Sequence, residues 1–229
     1  MNKLLKTFAF ATATLCLNSI PTHAQEESET VQDAAFSTWN ISLNGGLTFA
    51  ATDVNNSKTG SIFGIGAGFQ PLSFLQINLD IQKGLLQEGD HDNNQTMHFK
   101  NNYIYGSLTA RFHPLALILK DEYSSFKNTL YVGTGIALTK SNVDANNINN
   151  PDVGYIDNYK GTDVFVPLEL GVQYPVWNSK VDNQLINLNL NFRHHLGFAD
   201  QLDGYEPQVS NNKKNDVFSQ ITLGISYNF

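Results

Sequence analysis

The sequence predicts an all-β chain, an eight-stranded antiparallel up-and-down transmembrane β-barrel. Three observations carry the prediction. From Trp39 onward the hydrophobic period is two, the repeat of a strand with one apolar face. Eight segments show it, most of them about ten residues long; that suits a tilted strand crossing hydrocarbon, where soluble strands average about five or six residues. Their polar faces carry Asn, Gln, Ser, Thr, Gly and Tyr rather than Lys and Glu, which suits a polar interior with the apolar face turned to lipid. Inside hydrocarbon every backbone polar group needs a partner, so such a sheet must close on itself.

The segments follow in order. The first sets Trp39, Ile41, Leu43, Leu47 and Phe49 against Asn40, Ser42, Asn44 and Thr48. The second, 61–70, sets Phe63, Ile65, Ala67 and Phe69 against Gly64, Gly66, Gly68 and Gln70. After a tight Pro71-Leu72-Ser73 turn, Leu75, Ile77, Leu79 and Ile81 alternate with Gln76, Asn78, Asp80 and Gln82. The fourth, 98–112, sets Ile104, Leu108, Ala110 and Phe112 against Tyr103, Tyr105, Ser107, Thr109 and Arg111. The fifth, 129–139, sets Leu130, Val132, Ile136 and Leu138 against Tyr131, Gly133, Gly135 and Thr139. The sixth, 163–174, runs Val164 to Tyr174 against Asp163, Glu169 and Gln173; Pro167 lies inside it and should cost a ladder bond or force a bulge. The seventh sets Ile186, Leu188, Leu190 and Phe192 against Asn187, Asn189, Asn191 and Arg193. The eighth sets Val217, Ile221, Leu223, Ile225, Tyr227 and Phe229 against Gln220, Thr222, Ser226 and Asn228.

The links at 50–60, 84–97, 140–162 and 197–216 are polar and rich in Asn, Asp and Gly, and form one rim. Those at 70–73, 113–128 and 175–183 form the other, with both ends of the barrel. Trp39, Tyr174, Trp177, Tyr227 and Phe229 cluster at that second, inner rim as an aromatic girdle.

Ahead of the barrel stands an address. Met1-Asn2-Lys3-Leu4-Leu5-Lys6 is a positive start, 7–17 is apolar, and Thr22-His23-Ala24 offers small residues for cleavage before Gln25. Residues 1–24 are read as a signal peptide, 25–37 as a flexible acidic arm and 38–229 as the barrel. Cys16, the single cysteine, lies in the leader, so the exported chain has no thiol chemistry. Losing Lys3 and Lys6 leaves 12 basic residues against 21 acidic, a net charge of −9. With −7 for the whole chain, nucleic acid is not an expected partner. No run of eighteen apolar residues exists, which excludes a helical membrane protein.

With the leader and the eight amphipathic segments, the closing strand Gln220-Ile-Thr-Leu-Gly-Ile-Ser-Tyr-Asn-Phe229 resembles the outer-membrane β-barrels of the OmpA/OmpX-like superfamily. Val166-Pro-Leu-Glu-Leu-Gly171 and Leu202-Asp-Gly204 are similar to barrel domains of Bacteroidota outer-membrane proteins. The resemblance covers 38–229 and implies a Gram-negative outer membrane. It also implies that Tyr227 and Phe229 are read by the barrel-assembly machinery. No peptidoglycan-binding domain follows, so the cell-wall tethering of full-length OmpA-type proteins is not expected.

Asp80, Arg111, Glu169 and Arg193 fall on the polar face of a narrow barrel whose interior is filled by side chains. Unpaired charges there are costly, so these four are expected to form an interior polar network. Gly64, Gly66, Gly68, Gly133 and Gly135 are expected to make room for Tyr103, Tyr105 and Phe165. Gly64-Ile-Gly66-Ala-Gly68 lacks the following helix of a phosphate loop. Asp90-His91-Asp92-Asn93-Asn94 opens like a calcium loop, but Gln95 and Asn101 stand where glycine and glutamate belong. His91, His98, His194 and His195 lie toward the outer rim and are read as surface histidines, not as metal ligands. Neither a catalytic residue nor a cofactor is expected.

The function expected is that of a non-enzymatic outer-membrane protein that stabilises the envelope and displays surface loops on a rigid scaffold. Its partners are outer-membrane lipid and lipopolysaccharide, with a further loop-bound protein left open. The alternatives are a small gated pore, a lipid A-modifying barrel enzyme and a soluble secreted barrel.

Overall fold

The computed structural model describes residues 38–51, 57–89, 98–119, 127–146, 160–179, 184–198, 202 and 216–229. The leader with Cys16, the acidic arm, Asp90 to Asn94 and most of Leu202-Asp-Gly204 lie outside the described residues.

Eight strands follow in chain order: β1 (Thr38–Ala51), β2 (Ser57–Leu72), β3 (Leu75–Glu88), β4 (His98–Phe112), β5 (Leu130–Asn146), β6 (Lys160–Ser179), β7 (Gln184–Gly197) and β8 (Val217–Asn228). Each pairs antiparallel with the next, and β8 pairs with β1, closing the barrel. At the seam Trp39 N donates to Phe229 O at 3.0 Å and Phe229 N to Trp39 O at 2.9 Å. The register sets the tilt. A ladder row starting at Phe69 on β2 runs through Ile77, Ala110, Thr134, Leu168, His194, Ser219 and Phe49, and returns to β2 at Thr59, ten residues away. An offset of that size over eight strands tilts them by about 35–45° from the axis.

The faces are inverted relative to a soluble fold. Ile41, Leu43, Ile65, Leu79, Leu108, Ile136, Leu170, Leu190 and Leu223 are exposed all round the outside. Asn78, Gln82, Thr109, Glu169, Asn189 and Thr222 are buried inside. A soluble monomer rarely exposes contiguous apolar patches beyond a few hundred Å²; a band encircling the barrel is a surface made for hydrocarbon.

The structure corrects several expectations. The strands run further toward the rim opposite Thr38 and Asn228; the rim at those two ends is the terminal rim, the opposite one the far rim. There β5 reaches Asn146 and β6 begins at Lys160, so that link shrinks to 147–159. Lys140, Asn142, Asp144 and Thr162 are exposed there, and this outward face is polar rather than apolar. Pro167 pairs with His195 on β7, while the β5–β6 ladder has no pair at Val166 and Pro167 and keeps its register on either side. The bond is lost without a bulge; the register shift in β6 falls at Pro175 to Trp177. The apolar run after β4 forms a four-residue helix, α1 (Leu115–Ile118), at the terminal rim, with Leu117 and Ile118 exposed.

The glycines also serve differently. The spaces at Gly64, Gly66 and Gly68 take Gln82, Asp80 and Asn78, all polar. The aromatics instead lie over other glycines, their direct ladder partners: Tyr103 over Gly84, Tyr131 over Gly171 and Phe165 over Gly197. The three atoms nearest a Cβ at Gly84 all belong to the Tyr103 side chain, so Gly84→Ala should cost about 1–3 kcal/mol of overpacking. Urea unfolding of the refolded barrel in detergent micelles measures this. In a Tyr103→Ala background the cost should vanish; an equal cost in both backgrounds would refute the pairing.

Candidate functional site

The lumen is the candidate site, and it has two layers. The lower one, toward the terminal rim, is ionic. One ladder row carries Arg111 on β4, Gly133 on β5, Glu169 on β6 and Arg193 on β7. Because Gly133 has no side chain, Arg111 reaches across β5, and its Nε donates to Glu169 Oε2 at 2.7 Å. Arg193 Nη2 meets Glu169 Oε1 at 2.5 Å from the other side. It also spans the lumen, donating to Asp80 Oδ2 on β3 at 2.8 Å. Arg111 Nη2 stands 3.9 Å from the same oxygen. The structure thus brings the four charged residues into one ring of two cations and two anions. Arg193 is buried at its centre, 1% exposed. Both guanidinium groups lie over tyrosines, Arg111 4.7 Å from the Tyr131 ring centre and Arg193 5.5 Å from that of Tyr105.

Beside the ring Ser42, Asn44, Gln173, Asn191 and Thr222 line a cavity of about 10 Å³, the size of a single water site. Below it, at the end of β4, His113 Nε2 lies 3.3 Å from Gln76 Oε1. Burial and the neighbouring Arg111 push His113 down to about 4, so it is neutral at pH 7.

The upper layer is apolar and occupies inward positions where a polar lining is expected. Phe218 stacks on His195 at 3.9 Å and packs against Phe165 at 5.3 Å and Tyr103 at 5.6 Å. Tyr105 closes on His195 at 5.0 Å. Ile62, Leu86, Phe99, Val143 and Leu202 complete this buried core. Leu202 comes from the link between β7 and β8. Its N–H donates to Asp216 Oδ2 at 2.8 Å, and its carbonyl accepts from Asn101 Nδ2 at 2.9 Å. Phe218, Leu86 and Phe99 are not singled out from sequence, and Leu202 only as part of the Leu202-Asp-Gly204 resemblance, not as core. The first three could have been, since the period of two carries straight through them on the inward side.

The histidines separate. His195 points into the lumen and His194 outward, so the two cannot share a metal ion. His194 Nδ1 lies 2.9 Å from Ser219 Oγ, its ladder partner. Among the described residues no carboxylate faces this pair, and two polar groups on an apolar face satisfy each other there. His98 opens β4, and His91 lies outside the described residues. No group of three or more His, Cys, Asp or Glu among the described residues is placed to hold a metal. Trp39, Tyr174, Trp177 and Phe229 are exposed at the terminal rim, and Tyr227 is half-buried beside Phe229, their rings 5.8 Å apart.

Several solved barrels are similar in fold. Ail, the attachment invasion locus protein of Yersinia pestis, is 10% identical over 84% of this chain and 99% of its own, with a TM-score of 0.45. Neisserial surface protein A is 14% identical over 82% and 95%, with a TM-score of 0.45. OprG of Pseudomonas aeruginosa is 10% identical over 83% and 95%, with a TM-score of 0.41. No curated protein matches the chain. A family model described as outer membrane protein beta-barrel domain matches residues 10–229. With the closed eight-stranded barrel and its apolar exterior, that match means the chain belongs to the outer membrane protein beta-barrel domain family.

Proposed function

We propose that the protein is a sealed, non-catalytic barrel of a Gram-negative outer membrane that stabilises the envelope and presents its far-rim links as a binding surface. The observation that carries the reading is the pair of layers packed into the lumen, an aromatic core above and a ring of four charged residues below. A gated pore would need a continuous wet path, and the polar cavity beside the ring has room for about one water. The girdle at the terminal rim supports a bilayer with that rim facing the periplasm. Export would use the leader read at 1–24, and Tyr227 and Phe229 would be engaged by the assembly machinery. The links after β1, β3, β5 and β7 share the far rim, where a rigid scaffold can carry loops that bind lipopolysaccharide or a protein.

Planar bilayers containing the refolded protein test the reading. They should show no discrete conductance above the lipid background. Reproducible unitary steps would replace the sealed scaffold with a channel.

A further inference from the structure

The chain is acidic overall, at −7, yet among the described residues the barrel exterior is basic toward the far rim. Lys58, Lys83, Lys100, Lys140 and Lys160 are exposed there on five successive strands, β2 to β6. Asp144 is the one exposed carboxylate among the described residues. The others, Asp80, Glu88, Asp163, Glu169 and Asp216, are buried. The opposite flank differs: β7, β8 and β1 carry no lysine, and toward the same rim they present Leu196, Val217 and Phe49.

Two of the lysines stand at the edge of the apolar band. Lys83 follows Ile81 on the outward face of β3 and precedes Leu85; Lys140 follows Leu138 on β5. Ile104 on β4 is the ladder partner of both. Strand spacing puts their Cα atoms about 10 Å apart, astride that isoleucine. No ion pair within the described residues occupies either lysine. A lysine in this position lays its aliphatic stem along apolar surface and lifts its ammonium to the interface. Both stems can converge over Ile104, and the anions present at that height in a bilayer are lipid phosphates.

We propose that Lys83 and Lys140, reinforced by Lys160, bind lipid headgroups that carry an anionic phosphomonoester in the leaflet at the far rim, with an acyl chain lying over Ile104. The proposal rests on the membrane-barrel reading and adds a one-sided, phosphomonoester-selective lipid site to it.

The test is electron paramagnetic resonance of the full refolded chain in phosphatidylcholine vesicles doped with spin-labelled phosphatidic acid or spin-labelled phosphatidylcholine. The motionally restricted fraction should favour phosphatidic acid by about fivefold. Lys83→Gln/Lys140→Gln should bring the two lipids to parity, and Lys83→Arg/Lys140→Arg should retain the preference. Lys120→Gln/Lys127→Gln removes equal charge from the link between β4 and β5, at the opposite rim, and should also retain it. Parity in the unmodified protein, or equal loss in the 120/127 variant, would overturn the site while leaving the barrel intact. A heat-dependent gel shift of the same samples separates the two readings: a protein that neither inserts nor shifts overturns both.

Discussion

Replacing Arg193 by methionine should destabilise the barrel by about 3–5 kcal/mol, the usual cost of removing one partner from a buried ion pair. Among the described residues Arg193 alone touches both Asp80 and Glu169 at short range, at 2.8 and 2.5 Å. Without it two buried carboxylates share Arg111, which lies 2.7 Å from Glu169 but 3.9 Å from Asp80. Asp80 is then the stranded charge. Adding Asp80→Asn to Arg193→Met should therefore recover part of the loss, although it deletes a second member of the ring. Equilibrium unfolding in urea, followed by tryptophan fluorescence in detergent micelles, would measure both effects. A cost under about 1 kcal/mol for Arg193→Met, or a further loss on adding Asp80→Asn, would contradict the charge-balance account.

Truncating Phe218 to alanine should cost a similar amount, about 3–5 kcal/mol, for a different reason. The ring is wholly buried, with His195, Phe165 and Tyr103 packed round it, and none of these can follow it without leaving its own contacts. The loss is therefore apolar contact plus cavity, and Phe218→Leu should recover about half. On the sealed-barrel reading proposed above, the variant should nevertheless stay silent in planar bilayers, because the ionic ring lies across the lumen beneath it. Conductance on loss of Phe218 alone would mean that the aromatic layer is the only seal.

The strands were legible wherever lipid was to be on one side and the lumen on the other. Ile41 to Phe49, Leu75 to Ile81 and Ile186 to Phe192 announce their faces because the two solvents differ. The strand ends were not legible, for the same reason. Beyond Leu138 and before Val164 the outward side chains are Lys140, Asn142, Asp144, Lys160 and Thr162, so the contrast between faces disappears while the ladder continues. The inward placement of Asp80, Arg111, Glu169 and Arg193 could be read from alternation, but their pairing could not. It depends on register: Arg111 meets Glu169 through Gly133, and Arg193 meets Asp80 across the lumen, 113 positions away. Phe218 and Leu86 are not legible as core because apolar residues at inward positions contradict the expectation of a uniformly polar interior. Leu202 had no periodic signal, since it reaches the core from a link.

The seam between β1 and β8 has a consequence in time. Its ladder joins residues 188 to 166 positions apart, from Asn40 with Asn228 to Ala51 with Val217. Every other ladder joins neighbours in the chain and can form as a hairpin. This closure cannot begin until the whole barrel segment is available, and until it does two strands have open edges. Such edges are intolerable in hydrocarbon and prone to pair with other chains in water. Transfer into the bilayer and closure of the seam must therefore be a single late event, and the waiting chain needs shielding at both edges until then.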